Sequence, residues 1–175
     1  MKQSPGFTLI EVLIALIVLS GGLLGLAAMQ AAGLQNNQIA YNRSQATQLA
    51  YDMADRMRAN AANARFLALS TYTTIVPNAA LSQGDCVTAS VTCSSTDLAQ
   101  NDLYEWNEEI KAALPGCINA NCGTITLSGS VFIITLTWDD NRDGDIDGDG
   151  GAADGDTDGD GDTDDDPLFQ ISLQL

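Results

Sequence analysis

The sequence predicts an α+β fold in which a long N-terminal helix packs on a small antiparallel sheet, and three observations predict it. From Phe7 to Met29 the chain is apolar with a single charge, Glu11, and good helix formers continue through Arg65. The stretches "TITLSGSVFIITLTW" and "PLFQISLQL" alternate with the period of two expected of half-buried strands. Between these regions, "DLYEWNEEIKAALPG" carries a helical period and a Pro-Gly stop.

At 1.5 Å rise per residue the segment 7–29 is long enough to cross a bilayer. An ionisable group in hydrocarbon costs at least ~2.5 kcal/mol, so Glu11 implies a partner or a task. Lys2 is not that partner if residues 1–6 are removed. A secretory signal cut near Gly25 and Ala27 is one reading, but such apolar regions usually span 7–15 residues without an acid. A cut after Gly6 instead leaves Phe7 with a free amine, which supplies the missing positive charge.

Those residues, "G|FTLIEVLIALIVLS", resemble the class III leader of type IV prepilins, with a short leader ending in Gly6, then Phe7, then an acid at the fifth mature position. The resemblance implies cleavage after Gly6 and N-methylation of Phe7 by a prepilin peptidase. It also implies that Glu11 docks the subunit into a pilus by pairing with a Phe7 amine. Residues 23–60, "LLGLAAMQAAGLQNNQIAYNRSQATQLAYDMADRMRAN", and residues 102–116 are similar to the type IV pilus modification protein PilV family of minor pilins. This similarity implies a lollipop-like pilin fold, a place with other minor and major pilins and a tip adhesin, and roles in adhesion and twitching motility. It further implies a prepilin held in the inner membrane with a periplasmic domain, handed by an assembly platform to an extracellular pilus. A minor pseudopilin of a type II secretion system shares the leader and the stem, and is the nearest alternative.

The organisation that follows is a leader, 1–6, an apolar helix, 7–29, and a globular region, 30–175. One small domain has a marginal core, which the four cysteines can staple in an oxidising compartment. Four cysteines allow three connectivities, and local pairing, Cys86–Cys93 and Cys117–Cys122, is expected because each closes a short loop. Neither spacing is C-x-x-C and histidine is absent, which argues against a zinc site or a thioredoxin-like motif.

In the continuing helix Leu49, Met53 and Met57 form a core stripe, while Asp52 and Arg56 stand at i, i+4 on the wetter side. Residues 66–96 lack a sustained period and contain Pro77 and Gly84, so they read as an irregular connection closed by the first cysteine pair. The second helix is expected from Asp97 to Leu114, with Asp97 as N-cap, Gln100 three residues on, and Pro115-Gly116 as the stop. Leu103, Trp106, Ile110 and Ala113 then share a face, with Trp106 a core anchor. Phe132, Ile134, Leu136 and Trp138 share one strand face, Phe169, Ile171, Leu173 and Leu175 another, and Ser128-Gly129-Ser130 turns the first hairpin.

Residues 139–166 hold 14 of the 23 acidic residues and one arginine, a formal charge of −13 out of −16. Alternate oxygen ligands with Gly at the sixth position are the pattern of an EF-hand-type calcium loop. One register places Asp139, Asn141, Asp143, Gly144, Asp145 and Asp147 at positions 1, 3, 5, 6, 7 and 9, with Ile146 free to pack inward. A second places Asp154, Asp156, Asp158, Gly159, Asp160 and Asp162 there, with Asp165 at position 12. The bidentate Glu and the flanking helices of a true EF-hand are missing, and an Asp-Gly repeat matches the pattern by composition alone. A solvated acidic insertion is therefore the competing reading. Yet so many carboxylates between paired strands repel one another unless cations neutralise them, so weak calcium binding, ~10⁻⁴–10⁻³ M, is expected.

Without histidine, a phosphate-binding glycine loop or a nucleophile–base pair, an enzyme is not expected. Seven scattered basic residues against a net −16 equally disfavour direct nucleic-acid binding. The expected function is a structural pilus subunit, and a calcium-dependent adhesive module displayed on a pilin stem is a second possibility.

Overall fold

A computed structural model describes residues 8–82, 86, 93–118, 120–140, 146 and 167–175. Helix α1 runs from Leu9 to Ala59, with Glu11 in its first turn and Arg56 and Arg58 in its last, the charge placement that suits the helix dipole. The chain divides into two compact units, Met1–Ala40 and Tyr41–Leu175. In the first, every described residue from 8 to 38 is exposed.

The expectation of one helix through Arg65 needs correction, because α1 ends at Ala59 and a separate turn, α2, spans Ala61–Ala64. Asn60 between them leaves helical geometry with φ −102° and ψ 46°. Its buried side chain donates to the Ser95 carbonyl at 2.7 Å and to Tyr72 Oη at 3.2 Å, tertiary bonds that propensity does not foresee. The connection that follows is less irregular than expected: a 3₁₀ turn at Leu67–Leu69, helix α3 at Thr71–Thr74 and a second 3₁₀ turn at Pro77–Ala79. Asn63 pins this segment by accepting from Ser70 Oγ at 3.0 Å and from the Thr71 N–H at 2.8 Å.

Helix α4 covers Ser95–Ala113. Its N-cap is Ser94, not Asp97: Ser94 Oγ accepts from the Asp97 N–H at 3.1 Å and donates to Asp97 Oδ2 at 2.6 Å. Asp97 thus sits at the third helical position of a capping box, with Asp in the place usually held by Glu. The helix stops because Leu114 precedes Pro115 and is driven to an extended conformation, φ −109° and ψ 138°.

Three antiparallel strands follow in the order β1-β2-β3: β1 Gly123–Ser128, β2 Val131–Thr137 and β3 Leu168–Gln174. Gly129 turns the first hairpin with φ +65°, and the following Ser130 keeps negative φ, as a type II′ turn requires. Leu136 pairs with Phe169, Ile134 with Ile171 and Phe132 with Leu173, so the two expected apolar faces are one face. Phe132, Ile134, Leu136 and Trp138 are buried on it, whereas Leu175 lies beyond β3 and is exposed.

Leu49, Met53 and Met57 of α1 lie in the same core, together with Leu103, Trp106 and Ile110 of α4. Burying each large side chain contributes roughly 1.5–3 kcal/mol. Trp106 joins the layers: its indole N–H donates to the Leu49 carbonyl at 2.9 Å, and its ring lies against Gly123 of β1. A Cβ at Gly123 would stand 2.6 Å from Ile110 and 2.8 Å from Trp106, so glycine is what lets strand and helix meet. Both local disulfides are present, with Cα separations of 5.2 Å for Cys86–Cys93 and 5.6 Å for Cys117–Cys122.

Candidate functional site

The apolar run becomes a helix whose side chains have no cover in the first unit: Leu9, Leu24, Met29 and Leu34 are each more than seven-tenths exposed. By length and composition, α1 is able to cross a membrane. Gly6 and Phe7, the expected processing site, lie outside the described residues. Glu11 is described and exposed in the first turn. Its N–H donates to the Thr8 carbonyl at 3.1 Å and lies 3.4 Å from Thr8 Oγ1. Thr8-Leu9-Ile10-Glu11 therefore fits the T-x-x-E capping pattern, and Glu11 helps to start the helix as well as carrying the charge near its N-terminus. That pattern stands in the sequence beside the methylation signal and passes unnoticed because the acid already has an explanation.

In the second unit the root of the acidic tract is fixed. Asp139 is buried, and its N–H donates to the Pro115 carbonyl at 3.3 Å. Asp140 Oδ1 accepts from Asn42 Nδ2 at 2.8 Å and from the Trp138 indole at 3.1 Å, tying the tract's first residues to α1 and β2. Gly116, at φ +76°, has no space for a side chain: a Cβ there would meet Asp139 Cβ at 2.5 Å and Ile146 Cδ1 at 3.1 Å. Ile146 is partly buried and packs against the core. Of the expected ligands only Asp139 is described; Asn141, Asp143, Asp145, Asp147, Asp154, Asp156, Asp158, Asp160, Asp162 and Asp165 lie outside the described residues. Among the described residues no group of three or more acidic, His or Cys side chains is placed to hold a metal. Asn42 and Asp140 were not foreseen, since nothing local marks a contact across 98 residues.

The expected Asp52–Arg56 pair forms at 2.6 Å and extends to Glu105 at 2.7 Å and Glu109 at 2.9 Å on α4. Burial alone would lower the Arg56 pKa, but hydrogen bonds to Asp52 and Glu105 outweigh it and hold the guanidinium charged. Deeper in this junction Tyr72 Oη donates to Asp102 Oδ2 at 2.5 Å. Burial pushes the Asp102 carboxyl above the ordinary carboxylate value, against the opposing hydrogen bond from Tyr72, while burial and Asp102 together push the Tyr72 phenol up. These groups fasten α1, α3 and α4 to one another.

Residues 1–27 match the prokaryotic N-terminal methylation motif. Residues 28–104 match the family described as type IV pilin Tt1218. Over these two stretches the chain is similar to type IV pilins. The methylation motif covers Gly6, Phe7 and Glu11, and the pilin match runs from the apolar part of α1 into α4 as far as Tyr104, two residues short of Trp106. The pilin layout of a long N-terminal helix followed by a small antiparallel sheet is present. No curated protein and no solved structure matches the chain.

Proposed function

We propose that this protein is a minor pilin of PilV type, cut after Gly6, N-methylated at Phe7 and assembled into a type IV pilus near its tip. Residues 7–29 hold the prepilin in the inner membrane with its globular region in the periplasm. On assembly they exchange lipid for the helices of neighbouring subunits, and Glu11 pairs with a Phe7 amine. The observation that carries this reading is the uncovered apolar helix directly behind the methylation motif: exposure of this extent needs lipid or protein around it. Other minor pilins, major pilin and a tip adhesin are the partners, and the roles are pilus assembly, adhesion and twitching motility. The test is Glu11→Ala, which leaves leader cleavage intact and lowers the amount of the protein in sheared pili. Normal incorporation of that variant would remove the amine–carboxylate role.

The acidic tract is read as a weak calcium-binding insertion. What supports it is the concentration of −13 formal charge between two paired strands, with Asp139 and Ile146 fixed at its root. Calorimetric titration of calcium into the detergent-solubilised chain, with magnesium as control, checks it. About two ions and a raised melting temperature are expected; the absence of heat at millimolar calcium makes the tract a solvated acidic loop.

A further inference from the structure

The connection that follows α1 runs along α4. Asn60 donates to the Ser95 carbonyl at 2.7 Å and Tyr72 Oη to Asp102 at 2.5 Å, and the 3₁₀ turn at Pro77–Ala79 packs on α4 after them. The same turn and α3 also pack against β1, which pairs with β2 on one side only. The Thr137 N–H donates to the Cys122 carbonyl at 2.9 Å. Antiparallel alternation therefore turns the N–H and C=O of Thr124 and Thr126 toward β2 and those of Ile125 away from it. An open edge is a template for pairing with another chain, and covering it with a loop is one way proteins close it.

The two ends of this cover are held unequally. α3 is pinned through Asn63 to Ser70 and Thr71, and through Tyr72 to Asn60 and Asp102. Around the later turn Pro77 and Ala80 are buried, while Val76, Asn78, Ala79 and Leu81 are exposed. The connection meets α4 at Ser95 and then at Asp102, so this later turn falls on the turns of α4 around Asn107. Asn107 is 3% exposed, and its side chain has no hydrogen-bond partner among the described residues, whereas the buried Asn42, Asn60, Asn63 and Asn101 are all bonded. A buried amide without a partner opposes closure, because water satisfies it once the cover lifts. Strain lies in the same connection: Leu67 has φ +53°, and its carbonyl accepts from Thr73 Oγ1 and the Ser70 N–H, each at 2.9 Å. We propose that residues 75–81 form a strap over the outer edge of β1, fixed at α3 and opening locally, with Asn107 setting how often it opens. Opening uncovers the edge groups of Ile125 while the Trp106–Leu49 bond and the β1–β2 ladder stay in place.

The test is native-state amide exchange on the full-length chain in detergent micelles. The Ala79 and Ala80 amides donate to the Val76 and Pro77 carbonyls at 2.8 and 3.1 Å. They should exchange at least about tenfold faster than Trp106 and Ile110 of α4, at a rate insensitive to low denaturant. Asn107→Leu, which replaces the amide with an apolar group of similar size, should slow Ala79 and Ala80 about tenfold, with Ile125 slowing in step. Asn107→Asp, which adds a buried charge, should quicken all three. Ala79 and Ala80 exchanging only as slowly as Trp106 and Ile110 would overturn the proposal, since the segment would then open only with the core. Parental rates in both variants would overturn it by showing that the amide is already satisfied, and an Ile125 rate independent of Ala79 and Ala80 would show that the segment does not cover β1.

Discussion

The Trp106 indole N–H donates to the Leu49 carbonyl at 2.9 Å, so a side chain of α4 is bonded to the backbone of α1. The same ring lies against Gly123, which makes one residue common to helix, helix and sheet. Trp106→Ala should therefore destabilise the folded protein by about 3–5 kcal/mol. Trp106→Phe, which keeps an aromatic ring and loses the donor, should cost roughly 1–3 kcal/mol. Urea unfolding followed by circular dichroism measures both, and a Trp106→Phe variant as stable as the parent would contradict the bonded role.

Arg56 meets three carboxylates with one guanidinium, a geometry lysine cannot reproduce. Because those carboxylates are nearly half exposed, solvent screens the gain. Arg56→Gln should cost roughly 1 kcal/mol at low salt and less in molar salt, and Arg56→Lys should recover only part of it. Thermal melting at two ionic strengths checks the expectation; a salt-independent loss would point to packing instead.

Asp102 gives the junction a pH dependence. Its folded pKa is raised above 3.8, chiefly by burial, while Arg56 opposes the shift and Glu105 and Asp52 add to it. A carboxyl raised on folding binds its proton more tightly in the native state, so its stabilising contribution is full below the unfolded value and is lost as pH rises through the folded value. Asp102→Asn, which still accepts from Tyr72, should be as stable as the parent or more so near neutral pH. The advantage should pass to the parent as pH falls toward about 4. Parallel pH dependences of the two proteins would rule out this assignment.

The root of the acidic tract separates hydrogen bonding from charge. Asp140 Oδ1 accepts from both Asn42 and Trp138, a task an amide oxygen can also perform. Asp140→Asn should therefore be close to neutral, whereas Asp140→Ala should cost about 1–3 kcal/mol and change Trp138 fluorescence. Identical losses in both variants would show that the negative charge itself is required.

Much of this architecture is legible in the chain. The apolar run of α1, the Leu49-Met53-Met57 stripe, the alternation of β2 and β3 and the local cysteine pairs all announce themselves through period or spacing. What is not legible depends on distant partners. The break at Asn60 follows from bonds to Tyr72 and Ser95. The cap at Ser94 replaces Asp97 because the serine and the aspartate three residues on bond reciprocally, a choice between two polar residues that propensity ranks alike. At the candidate site the role of Glu11 is carried by the leader motif, but Asn42 and Asp140 meet only because β2 and α1 share a core. Gly116 reads as a helix stop in the sequence, and the structure adds that Asp139 and Ile146 close over it.

The most direct measurement is mass spectrometry of this protein recovered from sheared, washed pili, with sequencing of its N-terminal peptide. A chain that begins at N-methylated Phe7 and is present in the fibre fraction is the predicted result. A chain retained in the membrane with residues 1–6 attached, or cut near Ala27 and absent from the fibre, would contradict its assignment as an assembled pilin.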